Sequence, residues 1–375
     1  MSDHPTSKQQ TTTPSAHSST TGMIGGGFYD ANSATQWNAI ETVLPMLDEA
    51  VADLPLDGAG PVTLADFGCA EGHNSIAVMA RALETFRSRS ARPVQTVHSD
   101  LPTNDFSQLF AHLRPDGHSV FGGDQTYSAV VGGSMYDQLL PDQSVHLATT
   151  FNAIGFLSRR PLDELPGYIF PNGPSAQRAN GYVSEADRQA FAEQANQDVV
   201  QYLKVRAQEL VPGGKLLVQV FGASQEARTC DGIYDLLNDA VLAFVETGEI
   251  SRKTYDHYYQ PVYLRQLDEL TAPVLDTASS VSQLYTLNGS KSYEITVPFN
   301  EQYRIDGDLE RYAKDYVNFF RAFTEAVLRN ALPDTPQRND LVNRIFQRAE
   351  EILKSDPGSY PFRYIAIAML LTRTG

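Results

Sequence analysis

One stretch limits the possible folds more than any other: PVTLADFGCAEGHNSIAVMARAL, residues 61–83. An apolar run with strand character, VTLADFG, halts at a glycine. After Cys-Ala-Glu-Gly, the segment HNSIAVMARAL continues with helical spacing. A strand, a tight glycine-bounded turn and a helix in succession bring backbone N–H groups up to a ligand. The alternation then repeats. PVQTVHSDL (93–101) reads as a second strand followed by a short helix, TNDFSQLFAHL, and SVHLATTFN (144–152) as a third strand. Residues 184–211 form a long amphipathic helix with Ser184 and Asp187 spaced as a capping box. The run PGG ends it, and KLLVQVFGA (215–223) is a buried strand. Alternating β and α units predict an α/β protein with a mainly parallel sheet and helices on both faces.

The region from about 224 to 355 has a different pattern. Helical spacing covers 232–247, 264–276, 308–331 and 335–354, with a β-hairpin expected at 284–299, turning at LNGSK. YIAIAMLLTR (364–373) returns as a final strand. A sheet interrupted by a helical block places that block as a cap over the C-terminal edge of the strands, where ligands of open α/β sheets bind. Upstream, residues 32–54 are helical with an interruption at Pro45, and Gly25 to Gly27 form a flexible lead-in. Residues 1–22 are rich in Ser and Thr with almost nothing to bury, and read as a disordered tail. The chain is thus one domain over 23–375, with a sheet core at about 55–223 and 364–373 and a cap mostly at about 224–355.

Composition removes several functions. The net charge of −16 would repel a phosphate backbone and no Lys/Arg cluster offsets it, so nucleic acid is not a partner. No apolar run reaches transmembrane length, and the N-terminus lacks the basic-then-apolar pattern of a signal peptide. Two cysteines, Cys69 and Cys230, are too few for a disulfide framework and fit a reducing, cytoplasmic setting. Cys69 reads as a small turn residue. The eight histidines show no metal-ligand spacing, so no metal is expected. Ser/His/Asp arrangements for hydrolysis do not stand out.

The turn itself narrows the ligand. Cys69 and Ala70 stand where a dinucleotide fingerprint needs glycines, and no G-K-[ST] follows for a phosphate loop. The second strand ends in Asp100, where an acid takes ribose hydroxyls. The first strand ends near Asp66, beside Gly68. This pair suits a nucleoside without phosphates, with ribose for Asp100 and an amino-acid portion or a water network for Asp66. S-adenosyl-L-methionine is such a ligand; the alternative for Asp66 is a turn cap.

The segments GGGFYDANSATQ, ADFGCAEGHN, SDLPTNDF, GSMYDQLLPDQSVH, YLKVRAQELVPGGKLLV and FFRAFTEAVL follow one another as they do in the SABATH methyltransferases. The chain resembles that family over nearly everything after residue 22. SABATH enzymes methylate salicylate, benzoate, jasmonate, related acids and xanthine alkaloids. The resemblance implies a class I, Rossmann-like methyltransferase sheet with a helical cap, S-adenosyl-L-methionine as donor with S-adenosyl-L-homocysteine as product, and a homodimer. For the donor it implies Tyr29, Ser33, Asp66, Gly68, Asn74, Asp100 and Leu101, with Ser134 and Met135 closing over adenine. For the acceptor it implies Gln36 as a carboxylate anchor and a pocket lined by Ile233, Tyr234, Tyr263, Phe320 and Tyr364.

Two positions depart from the family. Aligning SVHLATTFNAIGFLSRRP puts Asn152 where the family has Tyr and Phe156 where it has a Trp that donates its indole N–H to the acceptor carboxylate. Phe has no donor. Trp37, the only Trp, follows Gln36 and points about 100° round a helix from it. The resemblance implies that the segment holding Asn152 and Phe156 forms a helical turn after the third strand, which would put the two on one face. Gln36 and Asn152 then hold the acceptor while Phe156 widens the pocket. The reading is an enzyme methylating the carboxylate of a small to medium apolar acid, with no catalytic residue beyond positioning groups. The alternatives are N- or phenolic O-methylation, which want a general base, and a protein that binds the nucleoside without turnover.

Overall fold

The computed structural model describes residues 22–58, 60–123, 125–178, 180–229 and 231–375. The tail expected over residues 1–22 lies, except for Gly22, outside the described residues, as does Cys230.

Among the described residues, seven strands form one sheet: β1 (Val62–Phe67), β2 (Val94–Asp100), β3 (Thr126–Gly132), β4 (Val145–Phe151), β5 (Leu210–Phe221), β6 (Tyr285–Ile295) and β7 (Tyr364–Arg373). Their order across the sheet is β3-β2-β1-β4-β5-β7-β6. The first five run parallel, while β7 is antiparallel to both of its neighbours. Every residue of β1 and β4 is buried, as central parallel strands covered on both faces require.

Among the described residues, twelve α-helices surround the sheet. Three precede it: α1 (Phe28–Ala31), α2 (Ala34–Glu41) and α3 (Leu44–Ala52). Between strands lie α4 (His73–Arg87), α5 (Phe106–Leu113) and α6 (Glu185–Glu209). Next come α7 (Asp231–Glu246), α8 (Arg252–His257) and α9 (Leu267–Leu275). The last are α10 (Pro298–Asp306), α11 (Leu309–Ala331) and α12 (Arg338–Ser355). Successive side chains of β1 point to opposite faces. Leu64 joins Leu47, Val51, Val78 and Phe86 of α3 and α4. Ala65 and Phe67 join Val199, Tyr202 and Leu203 of α6. A third layer, built on α7, α11 and α12, packs Tyr234, Leu237, Phe320, Phe346 and Leu353 into one cluster.

Three local expectations are corrected. The hairpin at 284–299 is instead the single strand β6, paired with β7; Asn288 and Gly289 make no turn but fall at a shift in register between Leu287 and Gly289. Asn-Gly inside a strand marks a bulge as readily as a turn. Strand β3 was missed because it is an edge strand, half-exposed along its length, with no alternation to betray it. The interruption expected at Pro45 is present but falls just before it, between α2 and α3; Pro45 itself lies in the first turn of α3, where its missing N–H costs nothing.

A candidate active site at the C-terminal edge of the sheet

Because β1 to β4 are parallel, their C-terminal ends share one edge. The segments leaving them line a cavity of about 410 Å³: Gly68 and Ala70 after β1, Asp100 to Asn104 at β2, Gly133 to Tyr136 after β3, and Phe151 to Ala153 and Phe156 to Ser158 at and after β4. The sheet reverses its winding between β1 and β4, and such a switch point opens a crevice. Gly68 is obligatory there. Its φ is +93°, and a Cβ on it would come 2.3 Å from Cβ of Ala153. The turns after β1 and β4 touch at that glycine.

Asp100 is fixed by two backbone donors: Ala70 N–H to Oδ2 and Leu101 N–H to Oδ1, both at 2.7 Å. Burial raises its pKa and these two bonds oppose the rise. Each oxygen keeps a second lone pair, enough to accept a hydroxyl pair from the cavity. Asp66 borders a smaller cavity with Asn74 and Tyr29. The Asn74 Oδ1 is buried and finds no hydrogen-bond partner among the described residues. Four residues expected at a nucleoside (Asp100, Leu101, Ser134 and Met135) line the large cavity, and Tyr29 and Gly68 border both. A carboxylate for ribose, apolar side chains for adenine and an unsatisfied amide for an amino-acid portion fit S-adenosyl-L-methionine. Ser33 lines none of these cavities: its hydroxyl donates to the Asp30 carbonyl at 3.0 Å.

Burial pushes the Asp66 carboxyl up to about 6; bonds from Ser75 and Thr149 oppose this, and Asp100 adds to it. The folded protein therefore holds this proton more tightly than the unfolded chain. The stabilisation is complete below the unfolded value of about 4 and disappears as pH rises through about 6. Two pH units correspond to roughly 3 kcal/mol. Melting curves of Asp66→Asn against the parent are expected to show that this part of the decline between about pH 4 and about pH 6 is gone. Parallel pH profiles for the two proteins would refute it.

Sequence reasoning missed the support beneath Ser134 and Met135. Arg206 on α6 is fully buried, stacks over the Phe67 ring, and donates to the carbonyls of Met135 at 3.1 Å and Asp137 at 2.8 Å. Glu209 pairs with it and accepts the N–H groups of Leu139 and Leu140. The legible signal was an Arg and a Glu spaced i, i+3 on the apolar side of an amphipathic helix.

A third, smaller cavity adjoins the first. It is lined by Met23, Tyr29, Gln36, Asn152, Phe156, Phe221, Tyr234, Phe319, Phe323 and Tyr364. Seven of these ten are aromatic, and none is Asp, Glu, His, Lys or Arg. Gln36 is buried, and its Oε1 has no partner among the described residues. Asn152 and Tyr29 border all three cavities. Gln219 Nε2 and the Tyr364 hydroxyl both donate to Asn152 Oδ1, at 3.2 and 2.9 Å, so the amide NH2 faces away from them.

The expected helical turn at 152–156 is not there. Asn152 has φ +59°, a left-handed conformation that Asn tolerates, and Phe156 N–H closes a turn on the Ala153 carbonyl at 3.1 Å. Phe156 then bridges to Val262. Both residues nevertheless border the small cavity. Three acceptor expectations fall elsewhere. Ile233 is in the core beside Tyr234. Phe320 packs against Tyr316 and Phe346, leaving its α11 neighbours Phe319 and Phe323 to face the cavity, a 100° step per residue. Tyr263 donates its hydroxyl to Glu269 at the surface. Trp37 packs with the α3–α4 layer, not in the cavity.

A sheet in this order, with an acid closing β2 beside a glycine turn and a cavity along the parallel ends, defines a class I methyltransferase. Within that class, the chain belongs to the SAM dependent carboxyl methyltransferase family, which matches residues 18–374. It is 27% identical to gibberellic acid methyltransferase 2 of Arabidopsis thaliana over 345 residues, covering 86% of this chain and 85% of that one. It is also 27% identical to methyltransferase LUC1 of a Fusarium species, with 82% of each chain covered. Among solved structures, loganic acid methyltransferase with SAH superposes with a TM-score of 0.76 at 22% identity, over 94% of this chain and 99% of that one. The protein is an S-adenosyl-L-methionine-dependent enzyme that methylates the carboxylate of a small acid.

Proposed function

We propose that the large cavity takes the methyl donor's nucleoside through Asp100, Leu101, Ser134 and Met135, that Asp66 and Asn74 receive its amino-acid portion in the smaller cavity alongside, and that Gln36 and Asn152 hold the acceptor carboxylate in the aromatic cavity. The observation that carries this reading is Asn152: it borders both cavities, and its amide is oriented by Gln219 and Tyr364 so that the NH2 is left for a ligand. Turning the Gln36 amide about its last torsion presents a second N–H pair to the same carboxylate. The layer of α7, α11 and α12 acts as the cap, contributing Tyr234, Phe319 and Phe323.

S-adenosyl-L-methionine, when bound, supplies an electrophilic methyl group. The chain supplies position. A carboxylate is already ionised near neutral pH, so no proton has to move and no base is required. This agrees with a cavity lined without a titratable acid, histidine or lysine. The aromatic walls exclude water, and two amides hold the anion in line, so proximity and desolvation supply the acceleration. The acceptor is an apolar acid small enough for ring-on-ring packing against Phe156, Tyr234 and Phe319. A homodimer and a cytoplasmic location complete the reading. The first rests on the family resemblance, the second on the buried, unpaired thiol of Cys69, which burial keeps protonated.

Incubation with methyl-labelled donor and a panel of apolar acids, phenols and amines tests this. Label is expected in esters of one or a few acids. Transfer to phenols or amines at comparable rates would overturn the carboxylate assignment.

A further inference from the structure

The chain from Gly22 to Ala31 crosses the mouth of the site, and it contributes Met23 and Tyr29 to the large and the small cavity alike. It has little structure of its own: three consecutive glycines, two of them at φ +72° and +81°, lead into the four residues of α1. What fastens it is Glu71, in the turn after β1. Glu71 is 1% exposed. Its Oε1 accepts the Gly27 N–H at 2.6 Å, and its Oε2 accepts the Asp30 N–H at 3.1 Å. Among the described residues, no Lys, Arg or His side chain forms an ion pair with it. A buried carboxylate without a cation is costly unless donors replace its water. Here those donors are the two backbone N–H groups of the crossing segment. Glu71 is therefore a buried carboxyl group whose hydrogen bonds depend on the segment being down.

Lesser contacts lie around this one. Asp105 accepts the Gly26 N–H at 3.1 Å, and Ile24 N–H reaches the Ala322 carbonyl on α11 at 3.1 Å. His112 sits 3.4 Å from Asp30 and 3.0 Å from the Glu71 carbonyl.

We propose that Glu71 is a latch: a positioning residue that pins the 22–31 segment across the donor cavity and thereby sets how long the methyl donor stays bound. It touches neither the cavities nor the reacting atoms, and acts through Tyr29 and Met23. The inference rests on the reading that the large cavity is the donor site.

Glu71→Gln keeps the side chain's shape but turns one acceptor into an NH2 facing a backbone N–H. Donor affinity by calorimetry is expected to fall at least tenfold, with a matching rise in dissociation rate, while kcat at saturating donor stays within threefold. A merely structural role would lower the melting temperature without that split. Hydrogen exchange on the same variant is expected to quicken over 22–31 and not in β1 or β2. A folded Glu71→Gln with donor affinity within threefold and unchanged exchange at 22–31 overturns the latch. Should the variant not fold, exchange in the unaltered protein decides: protection of the Gly27 and Asp30 amides, deepened by saturating S-adenosyl-L-homocysteine, supports the latch, and unprotected amides overturn it. Asp100→Ala separates the two readings. If it weakens donor binding and Glu71→Gln does not, the latch alone fails; if neither does, the donor site lies elsewhere.

Discussion

Asp100→Ala is expected to weaken donor binding by one to two orders of magnitude. Each hydrogen bond to a charged acceptor is worth roughly 1.5–3 kcal/mol, which is about 10- to 150-fold. The carboxylate has a second task. It ties Ala70 of the first turn to Leu101 at the end of β2, through two bonds of 2.7 Å. Truncation strips both N–H groups of their partner, so the turn loosens in addition to losing its ribose acceptor. Calorimetric titration with S-adenosyl-L-homocysteine, beside a melting curve, checks this. A folded variant that binds within threefold of the parent would remove Asp100 from the donor site.

Asn152→Asp is expected to raise the acceptor KM at least a hundredfold without weakening donor binding. The substitution is chosen for what it keeps. Asp, like Asn, tolerates the left-handed φ of +59°, which Ala would occupy under strain. Its carboxylate still accepts from Gln219 and Tyr364. Only the NH2 is lost, replaced by an anionic oxygen facing the acceptor. The missing donor accounts for roughly 1.5–3 kcal/mol. Two like charges at about 4 Å add up to about 4 kcal/mol at a surface-like effective dielectric. Steady-state kinetics on the best acid gives the answer. An unmoved acceptor KM would show that the carboxylate is held by other groups.

Four of the five parallel strands were legible because they are apolar runs ending at the residues that matter; β3, the half-exposed edge, was not. Asp66, Gly68 and Asp100 could be placed from the run lengths alone, since a strand's last residues must emerge at the edge. The small cavity was legible only in part. Tyr234 and Tyr364 line it, but Phe320 does not, because adjacent aromatics on α11 differ by 100° and sequence does not reveal which faces inward. The turn at 152–156 was misread because left-handed Asn leaves no signal in a run such as FNAIGF. Glu71 was invisible for a different reason. A Glu in a glycine-bounded turn reads as solvated, and its partners are backbone N–H groups 44 and 41 residues away, which no side-chain pattern encodes.

Phe156 stands where the family resemblance implies a Trp, and its backbone shows what such an exchange leaves untouched. The Phe156 N–H is closed on Ala153, its strand bridge runs to Val262, and the Leu157 N–H is held by the Pro261 carbonyl at 2.9 Å. Tyr136 donates its hydroxyl to the Phe156 carbonyl at 2.6 Å. Every main-chain tether at this position is independent of the side chain it carries. Exchanging an indole for a phenyl there alters the wall of the chamber and leaves the scaffold standing. Position 156 is thus a place where one substitution reshapes the chamber while the main-chain tethers around it stay as they are.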